Sequence, residues 1–318
     1  MSTQFMSYNA VCAALLALFS VSACNDSYAP ENEDPDDFEF AQAKEELIGG
    51  TEFSTTWARN TGTIAIKDTC TAALVGRRHI LTAAHCAQGP AFYYNGKIQI
   101  AQVGRLTSST QWTTVFIKST YIHPGWTAMC LVSSCAADQT LVSPYSPDIA
   151  VVELTADVPL TFKTAVIPRT IYNYDAETYV TGYGCEISVN GAGPNPPRLK
   201  MNRAVTLPVA RINDYRQEVP TANLWQFGNS NTITAGRKVS ASAASLCPGD
   251  SGGPLLQSSP AADGPTYPRN RVIGVNAYYT FSDASGVSVR NIHARLYDGG
   301  VTQAWLQTVL PASSFIYE

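Results

Sequence analysis

Cys247-Pro248-Gly249-Asp250-Ser251-Gly252-Gly253-Pro254-Leu255 sets one serine among glycines, which bare its hydroxyl and leave backbone N–H groups free to converge on one oxygen. Chemically this is a nucleophile beside its own oxyanion hole. A serine hydroxyl attacks only when a base takes its proton, and the chain holds just four histidines from which that base can be drawn.

His85 lies in Leu81-Thr82-Ala83-Ala84-His85-Cys86, where an apolar strand end runs into small residues and a cysteine able to pin the loop. Asp148 opens Asp148-Ile149-Ala150-Val151-Val152-Glu153-Leu154, a carboxylate at the mouth of an apolar strand. A lone histidine after a strand is usually structural and a lone aspartate before one usually a cap. The three contexts together, in the order His85, Asp148, Ser251, resemble the trypsin and chymotrypsin family of serine endopeptidases.

Gly249-Asp250-Ser251-Gly252-Gly253 also fits the G-x-S-x-G elbow of α/β-hydrolases, and an exported esterase is the competing enzyme class. There, however, the acid and histidine follow the serine, and only His293 follows Ser251. Short Val, Ile and Thr runs cut by Gly, Pro and Asn also suit an all-β chain better than alternating helices and parallel strands. A catalytically silent binding protein on a protease scaffold is the third class, although His85, Asp148 and Ser251 are all retained.

The chain has 318 residues, 45% hydrophobic and 14% charged, enough for one large or two small β domains with a substantial core. The resemblance implies two six-stranded antiparallel Greek-key β-barrels, at about residues 47–160 and 165–318, with the active site between them and a C-terminal α-helix packed on the second. Strands are expected over 62–66, 70–75, 79–82, 98–103 and 112–117. The spacing of Val301, Ala304, Trp305, Leu306, Val309 and Leu310 is helical. His79 and His123 read as turn histidines, and residues 125–147 as a loop longer than the fold requires.

Val11 to Ala23 is an apolar run of signal-peptide length, too short to span a bilayer, so residues 1–23 read as an export signal. The expected positive leader charge is missing, since Lys44 is the first basic residue. Val21-Ser22-Ala23-Cys24 resembles a bacterial lipoprotein cleavage box, which would lipidate Cys24 and attach the protein to a membrane. Without lipidation the protein is secreted. Residues 24–46 hold nine acids and one lysine, a charge of −8 that reads as an acidic linker or pro-segment. The whole chain is −4, so the protease-like domain from Leu47 onward carries +4. Its basic residues are scattered, and no nucleic-acid footprint follows.

Leu47-Ile48-Gly49-Gly50 resembles the N-terminus that the family exposes on zymogen activation, whose α-amine would pair with Asp250. The family usually has Arg or Lys before that bond, whereas Glu45-Glu46 stands here. An activating protease of other specificity, or self-processing, is therefore expected.

Six cysteines beyond the leader allow 15 pairings, among which sequence alone does not choose. The resemblance implies Cys70–Cys86 as the histidine-loop bridge. Cys130 and Cys135 are near enough in sequence to close a small loop on each other. Cys185 and Cys247 remain for one another, a departure, because the family usually pairs the Cys247 position with a downstream cysteine.

By the same resemblance Ser245 lies at the floor of the specificity pocket and brings no carboxylate for Arg or Lys. Ala277 stands where a serine often supports the aspartate, Tyr279 where a glycine keeps the pocket open, and Asn291 and His293 near its far wall. His293 either helps to bind an acidic side chain, which would permit cleavage of the chain's own Glu46-Leu47 bond, or is a satisfied core histidine. Protein or peptide substrates, and a monomeric protein, are implied. Neither metal nor cofactor is called for: His85 and Cys86 are adjacent, poor spacing for zinc, and no glycine-rich loop precedes a helix.

Overall fold

The computed structural model describes residues 51–52, 54–88, 92, 96–126, 147–169, 178–184, 200–204, 231–235, 246, 249–257, 271–280, 290–296 and 301–316. Six strands close a barrel: β2 (Thr63–Ile66), β3 (Thr71–Gly76), β4 (His79–Thr82), β5 (Lys97–Ala101), β6 (Thr113–Ile122) and β7 (Ala150–Leu154). Their order around the wall is β2-β3-β4-β7-β6-β5, and β2 seals it by pairing with β5. Closure leaves no exposed edge.

The apolar runs of β2, β3, β4 and β7 follow from burial on both faces. Successive side chains alternate sides. Ile64, Ile66, Ala72, Leu74, Ile80, Val152 and Leu154 fill the barrel. Their neighbours Ala65, Ala73, Val75, Leu81 and Val151 join a second core shared with Leu256, Val272, Val275 and Ala294. That shared core is what holds the two halves of the fold together.

The second half is built on β1 (Thr51–Glu52), β9 (Thr178–Gly182), β10 (Lys200–Ala204), β11 (Asn231–Ala235), β12 (Pro254–Gln257), β13 (Arg271–Thr280) and β14 (Arg290–Arg295). These make one seven-stranded sheet in the order β1-β10-β9-β12-β13-β14-β11. Among the described residues this sheet is open, so the expectation of two closed six-stranded barrels holds for the first barrel alone. One strand from the start of the domain, β1, forms an edge here.

Helix α1 (Thr55–Thr61) was not anticipated; the Ser54 side chain accepts from Trp57 N at its start, and Gly62, at φ 68°, ends it in the left-handed region. Helix α2 (Ala84–Ala87) is a single turn that carries His85. Helix α3 (Val301–Val309) forms where the spacing predicts, but it packs on both halves. Leu306 enters the shared core, while the Trp305 ring meets the His123 ring, just past β6, edge-on at 4.9 Å. His123, read as a turn histidine, is buried just past the end of β6. Beyond α3, β15 (Phe315–Ile316) pairs in parallel with β8 (Ile167–Pro168), tying the chain end to the crossover. No helix among the described residues is long and apolar enough to cross a membrane.

Candidate active site

His85 sits on the single turn that follows β4, and Asp148 two residues before β7. These strands are neighbours in the barrel, with Thr82 opposite Ala150, so the pairing register itself brings the two side chains to one place. Asp148 Oδ2 lies 2.6 Å from His85 Nδ1, and Asp148 Oδ1 accepts from His85 N at 3.0 Å. Both carboxylate oxygens therefore serve one histidine, fixing ring and backbone together. A carboxylate on Nδ1 leaves Nε2 as the nitrogen able to take a proton.

Asp148 is 8% exposed at its side chain and His85 26%. Burial disfavours a charged imidazole, but the Asp148 charge and its hydrogen bond prevail and raise the His85 pKa above the ordinary 6.5. The disulfide Cys70–Cys86 forms as the resemblance implies and anchors the turn from its other side. Cys70, His85 and Cys86 bring their donor atoms within 4.8 Å, yet the bridge takes both thiolates and leaves no chelate.

Backbone hydrogen bonds tie the Ser251 segment to β3 and β13. Ser251 O accepts from Thr71 N at 2.9 Å, and Gly252 N donates to Asn276 O at 2.7 Å. Gly252, at φ 82°, packs so tightly that a Cβ there would lie 2.1 Å from Thr82 Oγ1 and 3.1 Å from Ala83 N. Those residues lead into His85, which places the serine segment beside the histidine turn. Among the described residues no hydrogen bond joins the Ser251 hydroxyl to the His85 ring, whose Nε2 lies 3.6 Å from Cys86 Sγ. In unliganded enzymes that bond often tightens only with substrate.

Two arrangements around the serine escaped the sequence reading. Thr71 Oγ1 donates to Gly249 O at 2.8 Å and accepts from Tyr183 N at 2.9 Å, stitching the Gly249 turn to the end of β9. Gly249 has φ 98°, a conformation open chiefly to glycine. Asp250 is buried, and its Oδ1 accepts from Gly184 N at 2.7 Å. A Cβ on Gly182 or Gly184 would strike that carboxylate, at 2.1 and 2.5 Å, so Gly182-Tyr183-Gly184 exists to receive Asp250. Nothing local in either stretch announces the partner.

The third arrangement lies behind the serine. Asn276 Nδ2 donates to Thr181 O at 2.8 Å and to Asp250 O at 3.2 Å, which leaves its Oδ1 as acceptor for His293 Nδ1 at 2.9 Å. Asn276 and His293 are opposite residues on β13 and β14, both fully buried. Burial pushes the His293 pKa down to about 3, so the ring is neutral at ordinary pH and acts as a donor within the core. Asn291 is also buried, its Oδ1 accepting from Leu246 N at 2.7 Å. Ala277 is buried without the hydroxyl that a serine would bring there. For Tyr279 the backbone alone is described, opposite Asn291. Cys24, Glu46, Leu47, Cys130, Cys135, Cys185, Ser245 and Cys247 lie outside the described residues.

Residues 47–293 match the protein-family model described as Trypsin. Among curated proteins the chain is similar to Phenoloxidase-activating enzyme 1 of Spodoptera litura, 27% identical over 206 residues that cover 60% of this chain and 48% of that protein. It is also similar to CLIP domain-containing serine protease B9 of Anopheles gambiae, 24% identical over 211 residues, 60% of this chain and 46% of that one. The chain spans about half the length of these curated relatives.

Proposed function

The chain belongs to the trypsin family, and we propose that it is an exported serine endopeptidase working through His85, Asp148 and Ser251. The observation that carries the proposal is the double engagement of Asp148 with His85, at 2.6 Å to the ring and 3.0 Å to the backbone, beside the Gly249–Gly253 turn. In the proposed reaction His85 Nε2 takes the Ser251 proton as the hydroxyl oxygen adds to a peptide carbonyl, and Asp148 stabilises the imidazolium. The N–H groups of Gly249 and Ser251 receive the oxyanion. His85 then returns the proton to the leaving amine, and water releases the acyl group from Ser251 by the same steps in reverse order of partners.

The zymogen reading belongs with this. Cleavage before Leu47 would free an amine for Asp250, whose carboxylate already lies between the end of β9 and the serine turn. Two relatives support a place in proteolytic processing: one is named an activating enzyme and the other a serine protease. Ser245 at the pocket floor favours apolar over basic side chains, and the neutral state of His293 favours its core role over binding of acidic ones. The second sheet would complete a second barrel with the stretches around it. The leader of residues 1–23 implies export, with a lipid on Cys24 as its membrane-anchored form.

Hydrolysis of a mixed-sequence fluorogenic peptide pool tests the reading. The activated protein is expected to turn over the pool, and Ser251→Ala and His85→Ala each to lose at least about a thousandfold. Hydrolysis that survives Ser251→Ala would assign the activity elsewhere.

A further inference from the structure

An opening of about 950 Å³ adjoins the serine turn, with Lys67, Cys70, Arg105, Trp112, Tyr183 and Gly249 in its wall. Gly249 is the proposed oxyanion donor, so this cavity opens beside the reacting carbonyl. Its side of the site follows from the disulfide. Cys70 in the wall is bonded to Cys86, the neighbour of His85. His85 must hand its proton to the departing amine, so the leaving half of a substrate lies on the histidine side, towards Cys70.

The charge of that side is one-sided. Lys67 and Asp68 form the exposed β2–β3 turn, with Asp68 at φ 60°, and Arg105 is exposed in the same wall. Two adjoining openings continue the pattern: one of about 380 Å³ shares Lys67 and adds Lys97, and one of about 540 Å³ shares Arg105 and adds Arg59. Among the described residues that line the three, there are four cations and one carboxylate, Asp68. Among the described residues the ion pairs are Arg78–Asp157, His85–Asp148 and Lys118–Glu153, so none of these four cations is neutralised by one. Leu106 and Trp112 add apolar surface on which the stem of a long side chain can rest.

We propose that this cavity receives the segment following the scissile bond and that Lys67 and Arg105 select substrates carrying carboxylates there. The inference rests on the serine-protease reading above, and it names the substrate class: proteins cut just ahead of an acidic stretch. Attraction by exposed charges is modest and screened by salt, so a rate preference of about three- to tenfold at low ionic strength is expected.

Two quenched peptide pools test it, mixed before the scissile bond and carrying either Glu-Glu or Gln-Gln at the second and third positions after it. The Glu-Glu pool is expected to show the higher kcat/KM at low salt, with the ratio falling towards one in high salt. In Lys67→Gln/Arg105→Gln the ratio should fall to one while hydrolysis of the Gln-Gln pool is retained. Equal rates for the two pools in the unaltered protein, or a preference that survives the double substitution, would overturn the proposal. Fluorophosphonate labelling of the same preparation separates the two readings. Should Ser251 prove unreactive, fluorescence anisotropy with Ser251→Ala and dye-labelled Glu-Glu or Gln-Gln hexapeptides decides the matter. Tighter, salt-sensitive binding of the acidic peptide that needs Lys67 and Arg105 supports the cavity's role, and equal binding overturns it.

Discussion

At the scale of single residues, His85 and His293 show how surroundings give one side-chain type opposite tasks. Asp148 raises the His85 pKa against the effect of burial, whereas His293, buried without a carboxylate, falls to about 3. The proposed reaction needs His85 neutral, so kcat/KM is expected to rise with pH along a limb centred above 6.5. In Asp148→Asn burial remains while the charge is gone, so the limb should move to lower pH as the plateau drops; a pH–rate profile, or imidazole titration by NMR, reads both. For stability the signs are opposite. The His85 contribution is present below its unfolded pKa and is lost as pH rises through the raised folded one. The His293 contribution is full above 6.5 and is lost as pH falls, because the unfolded chain then binds a proton that the core refuses. Urea unfolding should therefore show His293 removing about 2 kcal/mol between pH 7 and pH 5, and His293→Gln should lose that acid sensitivity.

At the scale of elements, the serine turn is held by glycines at contacts where no side chain fits. Gly252→Ala would set a Cβ 2.1 Å from Thr82 Oγ1 and 2.3 Å from Thr71 O, at a φ of 82°. A loss of about 3 kcal/mol or more in thermal or urea unfolding is expected, with the serine turn pushed away from the His85 turn. What the sequence discloses divides along the same line. β2, β3 and β4 could be read because they bury both faces and so are continuous apolar runs bounded by turns. β6 runs on to Ile122, past the expected end at Ile117, because its outer residues Lys118 and Tyr121 are held by Glu153 of β7, at 2.7 and 3.0 Å. Helix α1, only seven residues and rich in threonine, carries too weak a pattern to be seen. Thr71, Asn276 and the Gly182–Gly184 turn were passed over for a different reason. Their partners lie on other strands, and a threonine or a glycine looks the same whether or not a carboxylate or a carbonyl waits across the fold.

At the scale of the whole molecule, the barrel supplies His85 and Asp148, and the seven-stranded sheet supplies Ser251 and the Asp250 socket. The shared core sets the distance between the two contributions. Activation before Leu47 would act on the sheet side alone, through Asp250, while the histidine side stands preformed. Labelling by a fluorophosphonate, with intact mass and the N-terminal residue read from one sample beside Ser251→Ala, tests this account most directly. A single adduct on a chain beginning at Leu47, absent from Ser251→Ala, is the predicted result. A chain that begins at Leu47 and takes no adduct would contradict it.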